Sequence, residues 1–232
     1  MNKKIYGIIG VLLGIILLVY FKTYTYKLLT ILHINVNNYS NIVKLIIDLG
    51  IDLIMCIIIY FIYKKDFKKG RKTNNIFKSL LIMIVALISL ILIMYLFGYV
   101  TKYLCNIFKV KQVNTTFYNI FNKKIDCYLI IKIIKDYFIF PFISCSLILL
   151  SADKLCRRND TFIFMSGLLA LICSSLTLNG TLLFVIINSL STFLLYCVLA
   201  IIYKKCNSIW FSIVLYGLYL ATNLLILNFI GW

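Results

Sequence analysis

Apolar residues occur along this chain in long runs, and short polar or basic segments separate them. A helix needs about 20 apolar residues to cross the hydrocarbon core of a bilayer, and seven runs approach that length. The pattern therefore predicts an all-α fold, a polytopic transmembrane helical bundle that forms a single integral membrane domain over residues 1–232. The predicted spans are residues 5–21, 43–63, 79–100, 128–150, 162–178, 181–203 and 208–230.

The first run follows a basic start, MNKK, as the apolar part of a secretory signal peptide does. The next residues are KTYTYK, which offer no cleavage site of small residues, so we expect this run to remain as the first span. Asn179 and Gly180 predict a tight turn between the fifth and sixth spans. The longest connection, residues 101–127, mixes aromatic and basic residues, which fits either an interfacial helix or a plain extracellular loop.

The distribution of Lys and Arg between the connections predicts the orientation. One set of alternate connections contains 14 of these cations and the other contains seven. Because Lys and Arg accumulate in cytoplasmic loops, we expect a cell-membrane protein with the N-terminus in the cytoplasm and the C-terminus outside. The 14 cations are Lys3, Lys4, Lys64, Lys65, Lys68, Lys69, Arg71, Lys72, Lys78, Lys154, Arg157, Arg158, Lys204 and Lys205.

Composition narrows the classes of function. All seven acidic residues are Asp, so the chain lacks Glu, a common side chain in acid–base catalysis. The formal net charge is +17, but the cations lie in short loops rather than on a folded polar face, which speaks against a nucleic-acid partner. Contact with anionic lipids of the bilayer explains the charge better.

Ionisable residues inside a span are candidates for function because they are costly in lipid. Asp48 and Asp52 lie four residues apart in the second span, hence on one helical face. They predict either an ion or proton site, or a helix that begins at the interface, where Lys44 pairs with Asp48. Lys132 and Lys135, near the start of the fourth span with Asp136, are expected to reach back to the membrane surface.

The cysteines and the single histidine suggest no metal site and no cofactor. None of the eight cysteines forms a CxxC pair, and most are expected to pack as small apolar side chains. Cys105 and Cys127 share one connection, so a disulfide between them is one alternative and two free thiols are the other. His33 lies after the first span and lacks the partner that a nucleophile pair or a metal site requires.

The last third of the chain resembles the CPBP family of intramembrane CAAX proteases, also called Abi. The segment IIYKKCNSIWFSIVLYGLYLATNLLIL, residues 201–227, resembles the family's closing helices, the last of which normally carries His-x-x-x-Asn. FMSGLLALICSSL, residues 164–176, resembles the span with Phe-x-x-x-His. IFPFISCSLILLSADKL, residues 139–155, resembles the helix with Glu-Glu-x-x-x-Arg. The resemblance implies a CPBP-like core in the C-terminal half.

The family's working residues are replaced by neutral ones in this chain. The resemblance places the paired glutamates on Ser144 and Cys145 and the histidines on Ser174 and Tyr216. Hydroxyl and thiol groups supply neither a base nor a charge near neutral pH. The full set of degenerate positions is Ser144, Cys145, Leu149, Ala170, Ser174, Tyr216 and Leu220, with Asn223 one turn from the last.

The resemblance therefore implies a catalytically silent relative that binds a membrane protein or peptide, as in bacteriocin self-immunity or a regulatory scaffold. Two alternatives stay open. A transporter subunit would use a path around Asp48 and Asp52, although the sequence shows no inverted repeat. A residual peptide-processing protease would depend on Cys145 or His33.

Overall fold

The computed structural model describes residues 25–27, 29, 31, 39–69, 76–107, 127–178 and 181–230. The expected first span, residues 5–21, and His33 lie outside these ranges, as does the side chain of Cys105. All regular elements within them are helices. In chain order they are α1 Asn41–Ile62, α2 Lys64–Lys69, α3 Ile76–Ile107, α4 Cys127–Ile134, a π segment Lys135–Ile139, α5 Phe140–Leu155, α6 Asn159–Thr177, α7 Leu182–Cys206 and α8 Ile209–Ile230.

Five of the described helices are long and apolar enough to cross a bilayer: Asn41–Ile62, Ile76–Leu104, Cys127–Leu155, Asn159–Thr177 and Leu182–Cys206. Ile209–Leu225 of α8 forms a shorter apolar helix. The described helices confirm the prediction of a helical fold, and their length and composition are consistent with a multi-pass membrane protein. Residues 101–107, which we expected in a connection, instead continue α3 as a helix.

The continuous helix from α4 to α5 occupies the centre of the bundle. Every residue from Ile143 to Ala152 is buried, so α5 is covered on all sides. Serine and alanine recur in this stretch, and such small side chains let neighbouring helices approach closely in a membrane. A π segment precedes Pro141, which has no N–H group and cannot donate to the carbonyl of Tyr137 four residues earlier.

Polar contacts near both ends of α1 show that α1 and α4–α5 run in the same direction. Asp48 of α1 pairs with Lys135 at the start of the π segment. Sixteen residues later in the chain, Ser151 of α5 is bonded to Tyr63, which follows α1 directly. Asp153 in the last turn of α5 pairs with Lys204 in the last turn of α7, so α7 ends at the same level.

These contacts gather several basic segments at one end of the bundle, which we call the basic end. It contains α2, the last turns of α5 and α7, and the first residues of α6 and α8. Its cations belong to the set that the sequence placed on one side of the membrane. Asn207 reverses the chain between α7 and α8 with a φ of 55°, a left-handed conformation that asparagine adopts more readily than most residues.

Candidate functional site

Three of the family-equivalent positions meet in the middle of the bundle. Ser144 and Cys145 of α5 are 3% and 0% exposed, and Tyr216 of α8 is 7% exposed. The Ser144 hydroxyl donates to the Phe140 carbonyl at 2.8 Å. The Cys145 thiol donates a long hydrogen bond of 3.9 Å to the Ser212 carbonyl. Both groups therefore bond to backbone oxygens inside the packed core.

Tyrosine rings close this cluster. The Tyr216 ring lies 5.8 Å from that of Tyr196 in an edge-to-face arrangement and 6.4 Å from that of Tyr219 in a stacked one. Tyr196, from α7, also lies beside Ser144 and Cys145. We call Ser144, Cys145, Tyr196, Tyr216 and Tyr219 the neutral cluster.

Sequence reasoning missed Tyr196 because it matches none of the positions that the resemblance implies. The available indication was a phenol in the middle of an apolar run, since a buried tyrosine hydroxyl usually seeks a polar neighbour. Asn223 lies one turn beyond Tyr219, with its side chain beside the Tyr219 hydroxyl.

The remaining family-equivalent positions stay outside the neutral cluster. Leu149 and Ala170 are buried core residues, and Leu220 packs against the core from its edge. Ser174 is half-buried, and its hydroxyl donates to the Leu171 carbonyl of its own helix at 3.0 Å. Ser144 and Ser174 both donate to carbonyls of their own helices, as serine commonly does within a helix.

The neutral cluster holds hydroxyl groups and one thiol. A serine or cysteine nucleophile requires an adjacent base, and among the described residues the neighbours of these five side chains include none. Within the described ranges, no group of three or more His, Cys, Asp or Glu side chains is placed to hold a metal ion. The arrangement fits tight packing between α5, α7 and α8.

The second candidate site lies around Asp48. Lys135 Nζ is 3.1 Å from Asp48 Oδ2, and the two side chains are 15% and 19% exposed. The Tyr26 hydroxyl donates to the other oxygen of the same carboxylate. Burial and the Asp48 carboxylate both raise the pKa of Tyr26, so its hydroxyl keeps its proton and remains a donor. Within the protein, Lys135 thus pairs with the charge of this carboxylate and Tyr26 donates a hydrogen bond to it.

This geometry corrects two expectations. Asp48 pairs with Lys135 from a distant helix rather than with Lys44, one turn away on α1. Lys135 therefore lies in an ion pair instead of reaching back to the membrane surface. Asp52 is half-buried one turn beyond Asp48, and with Asp136 it adds negative charge near the Lys135 ammonium. A role for Asp48 and Asp52 in ion or proton binding stays a prediction.

Cys127 is an exposed free thiol at the first residue of α4.

Comparisons with models of protein families, with curated proteins and with solved structures each find no match. The CPBP resemblance therefore rests on the quoted residues.

Proposed function

We propose that this chain is a catalytically silent relative of the CPBP intramembrane proteases that binds a membrane protein or peptide in the cell membrane. Its role would be bacteriocin self-immunity or that of a regulatory scaffold. The observation that supports this proposal best is the neutral cluster, which fills the place where the resemblance expects carboxylates and imidazoles. Peptide hydrolysis needs a base that activates water or a nucleophile, and Ser144, Cys145 and Tyr216 offer none.

The proposed topology has seven spans. Residues 5–21 form the first and α8 forms the last, with the CPBP-like core built from α5 to α8. The basic end faces the cytoplasm, because Lys and Arg are retained on that side. The N-terminus is then cytoplasmic and the C-terminus is outside.

Helix α3 supports the partner-binding part of the proposal. It is the least buried of the five candidate spans. One side of α3 packs on α7 and α8, with Leu90 fully buried, whereas Leu81, Ile84 and Ile88 are exposed apolar residues. Helices associate in a bilayer through close packing of such surfaces, and α3 offers the longest one.

Site-specific photocrosslinking tests this proposal in cells. A benzophenone amino acid replaces Leu81, Ile84 or Ile88 on α3, and matched controls carry it at Ile54 or Ile57, which are exposed on α1. We expect one discrete crosslinked polypeptide, the same from all three α3 positions and absent from the α1 controls. Mass spectrometry identifies it. Crosslinks to lipid alone, or the same products from both helices, would contradict the proposal.

A transporter subunit is the second candidate, and the Asp48–Lys135 pair favours it. Ionisable groups at membrane depth often mark ion or proton pathways, and π segments occur frequently at functional sites. The test is dye-detected proton flux into proteoliposomes under an imposed potential. Asp52→Asn should abolish flux, while Asp160→Asn at the exposed start of α6 should retain it. Wild-type flux no greater than that of protein-free liposomes removes this candidate.

A further inference from the structure

Helix α2 packs with one face against α5 and α8 at the basic end. Phe67 is 3% exposed, and its ring stacks on Phe142 of α5 with the centroids 5.3 Å apart and lies 5.5 Å from Trp210 of α8. Asp66 pairs with Lys154 at 3.1 Å. Just before α2, the Tyr63 hydroxyl bonds to Ser151 at 2.6 Å. The orientation of this short helix is therefore determined by three different kinds of contact.

The opposite face of α2 consists of lysine. Positions 63, 66 and 67 share one side of a helix of 3.6 residues per turn, and positions 64, 65 and 68 share the other. Lys64, Lys65 and Lys68 are accordingly all exposed. Because contacts on the buried face hold the helix, these three ammonium groups project together from a fixed support.

Two carboxylates at this end of the bundle, Asp66 and Asp153, are already engaged by other cations. Asp66 pairs with Lys154, and the Lys154 ammonium also lies 4.3 Å from the centre of the Tyr63 ring. Asp153 pairs with Lys204 and accepts a hydrogen bond of 3.2 Å from Tyr203. Asp66 and Asp153 are thus paired with cations other than the exposed lysines of α2.

An apolar and aromatic collar lies directly beside the three lysines. Tyr60, Phe61 and Ile62 end α1 with 40%, 67% and 42% exposure, and Trp210, the second residue of α8, is 40% exposed. Exposed Tyr and Trp at the end of a span mark the level of the lipid headgroups. The lysines of α2 therefore follow the last lipid-facing residues of α1 at headgroup level, where a phospholipid reaches them more readily than a nucleic acid does.

We propose that the exposed face of α2, formed by Lys64, Lys65 and Lys68, binds the headgroups of anionic phospholipids. The phosphate of the lipid contacts the ammonium groups, and its acyl chains lie along the exposed end of α1. Each lysine near an anionic surface contributes about a fivefold change in binding. This interaction is independent of the partner proposed above, because α2 and the exposed face of α3 are separate surfaces.

Tryptophan quenching by brominated lipids measures the interaction in the reconstituted full-length chain. Trp232→Phe leaves Trp210, next to the lysines, as the single tryptophan. Brominated phosphatidylglycerol should quench Trp210 at a mole fraction on the order of 100-fold lower than brominated phosphatidylcholine, since the contributions of the three lysines multiply. The combined Lys64→Gln, Lys65→Gln and Lys68→Gln variant should lose this preference. Equal quenching of the wild-type background by the two lipids would overturn the proposal.

The matched control retains the charge: a variant with Arg at all three lysine positions should keep the preference for phosphatidylglycerol. If the triple Gln variant keeps the preference as well, the lipid binds elsewhere and the proposal is wrong. Salt provides a test without substitution. Raising the ionic strength from about 0.1 M to 1 M shortens the Debye length from about 10 Å to 3 Å and should abolish the preference.

Discussion

Gly217 of α8 lies directly against the backbone carbonyl of Tyr137 in the π segment, so that a Cβ atom at position 217 would stand 2.5 Å from that oxygen. Pro141 cannot donate to this carbonyl because it has no N–H group. The absent side chain at Gly217 lets the α8 backbone cover the carbonyl, where a Cα–H group is a weak donor. Pro141 leaves this carbonyl without its usual helical donor, and Gly217 on another helix lets the α8 backbone pack against it.

Gly217→Ala should destabilise the protein by about 1–3 kcal/mol, since the added methyl group would meet backbone rather than a mobile side chain. The measurement is thermal unfolding in mild detergent. Gly98→Ala is the matched control, because a Cβ at Gly98 meets nothing within 4 Å. This control should be neutral or stabilising, since alanine is the better helix former. Equal stability of both variants would contradict the close contact.

The helices could be predicted from the sequence because each depends on the composition and length of its own segment. An apolar run of sufficient length becomes a helix in lipid, where its backbone has to bond to itself. The predicted spans over 162–178 and 181–203 accordingly correspond to α6 Asn159–Thr177 and α7 Leu182–Cys206. Hydropathy locates such ends within a few residues, since helices continue beyond the hydrocarbon into the interface, as α3 does to Ile107.

The candidate sites were less predictable because their contacts join distant parts of the chain. Lys135 is 87 residues from Asp48, whereas Lys44 is one turn away, so helical spacing favoured the wrong partner. Tyr196 joins the neutral cluster from α7, a helix to which the resemblance assigned no working residue. Only the packing of α1 and α7 against α4–α5 reveals these neighbours.

Breaking the Asp48–Lys135 pair should lower the stability of the protein more than removing an exposed charge does. Lys135→Met leaves a largely buried carboxylate without its cation, and such a loss costs about 3 kcal/mol. Asp48→Asn should cost a similar amount, since it leaves the Lys135 ammonium unpaired. Thermal unfolding in mild detergent measures both variants.

The double variant Asp48→Leu, Lys135→Met should recover most of this loss, because no unpaired charge remains. Lys44→Gln serves as the control for removing a nearby cation, and it should change stability by less than about 0.5 kcal/mol. If Lys44→Gln proves as damaging as Lys135→Met, Asp48 has its partner on α1 after all.

The hydrogen bond between Tyr63 and Ser151 should show as coupling in a double-mutant cycle. Tyr63→Phe and Ser151→Ala each remove one partner of a buried bond of 2.6 Å, and each should cost about 1 kcal/mol. Together they should cost less than the sum, since the double variant leaves no orphaned hydroxyl. Strictly additive losses would show that the two hydroxyls do not interact.

Thiol labelling should show which end of the bundle faces the cytoplasm. Cys127 is exposed at the start of α4, away from the basic end, and Asn159 is exposed at the start of α6, within it. Two variants each carry one thiol, with the other native cysteines replaced by Ala. One retains Cys127, and the other contains Asn159→Cys. A membrane-impermeant maleimide is added to intact and to permeabilised cells.

Cys127 should be labelled in intact cells, whereas the thiol of Asn159→Cys should need permeabilisation, because the cations of the basic end hold it in the cytoplasm. A third variant that retains Cys145 should remain unlabelled under both conditions and react only after denaturation, since this side chain is 0% exposed. Labelling of Cys145 in the native protein would mean that the neutral cluster opens to water, which would contradict its proposed role as a tightly packed, inert core. The reverse pattern for Cys127 and Asn159→Cys would invert the proposed topology and place the lysines of α2 at the outer leaflet.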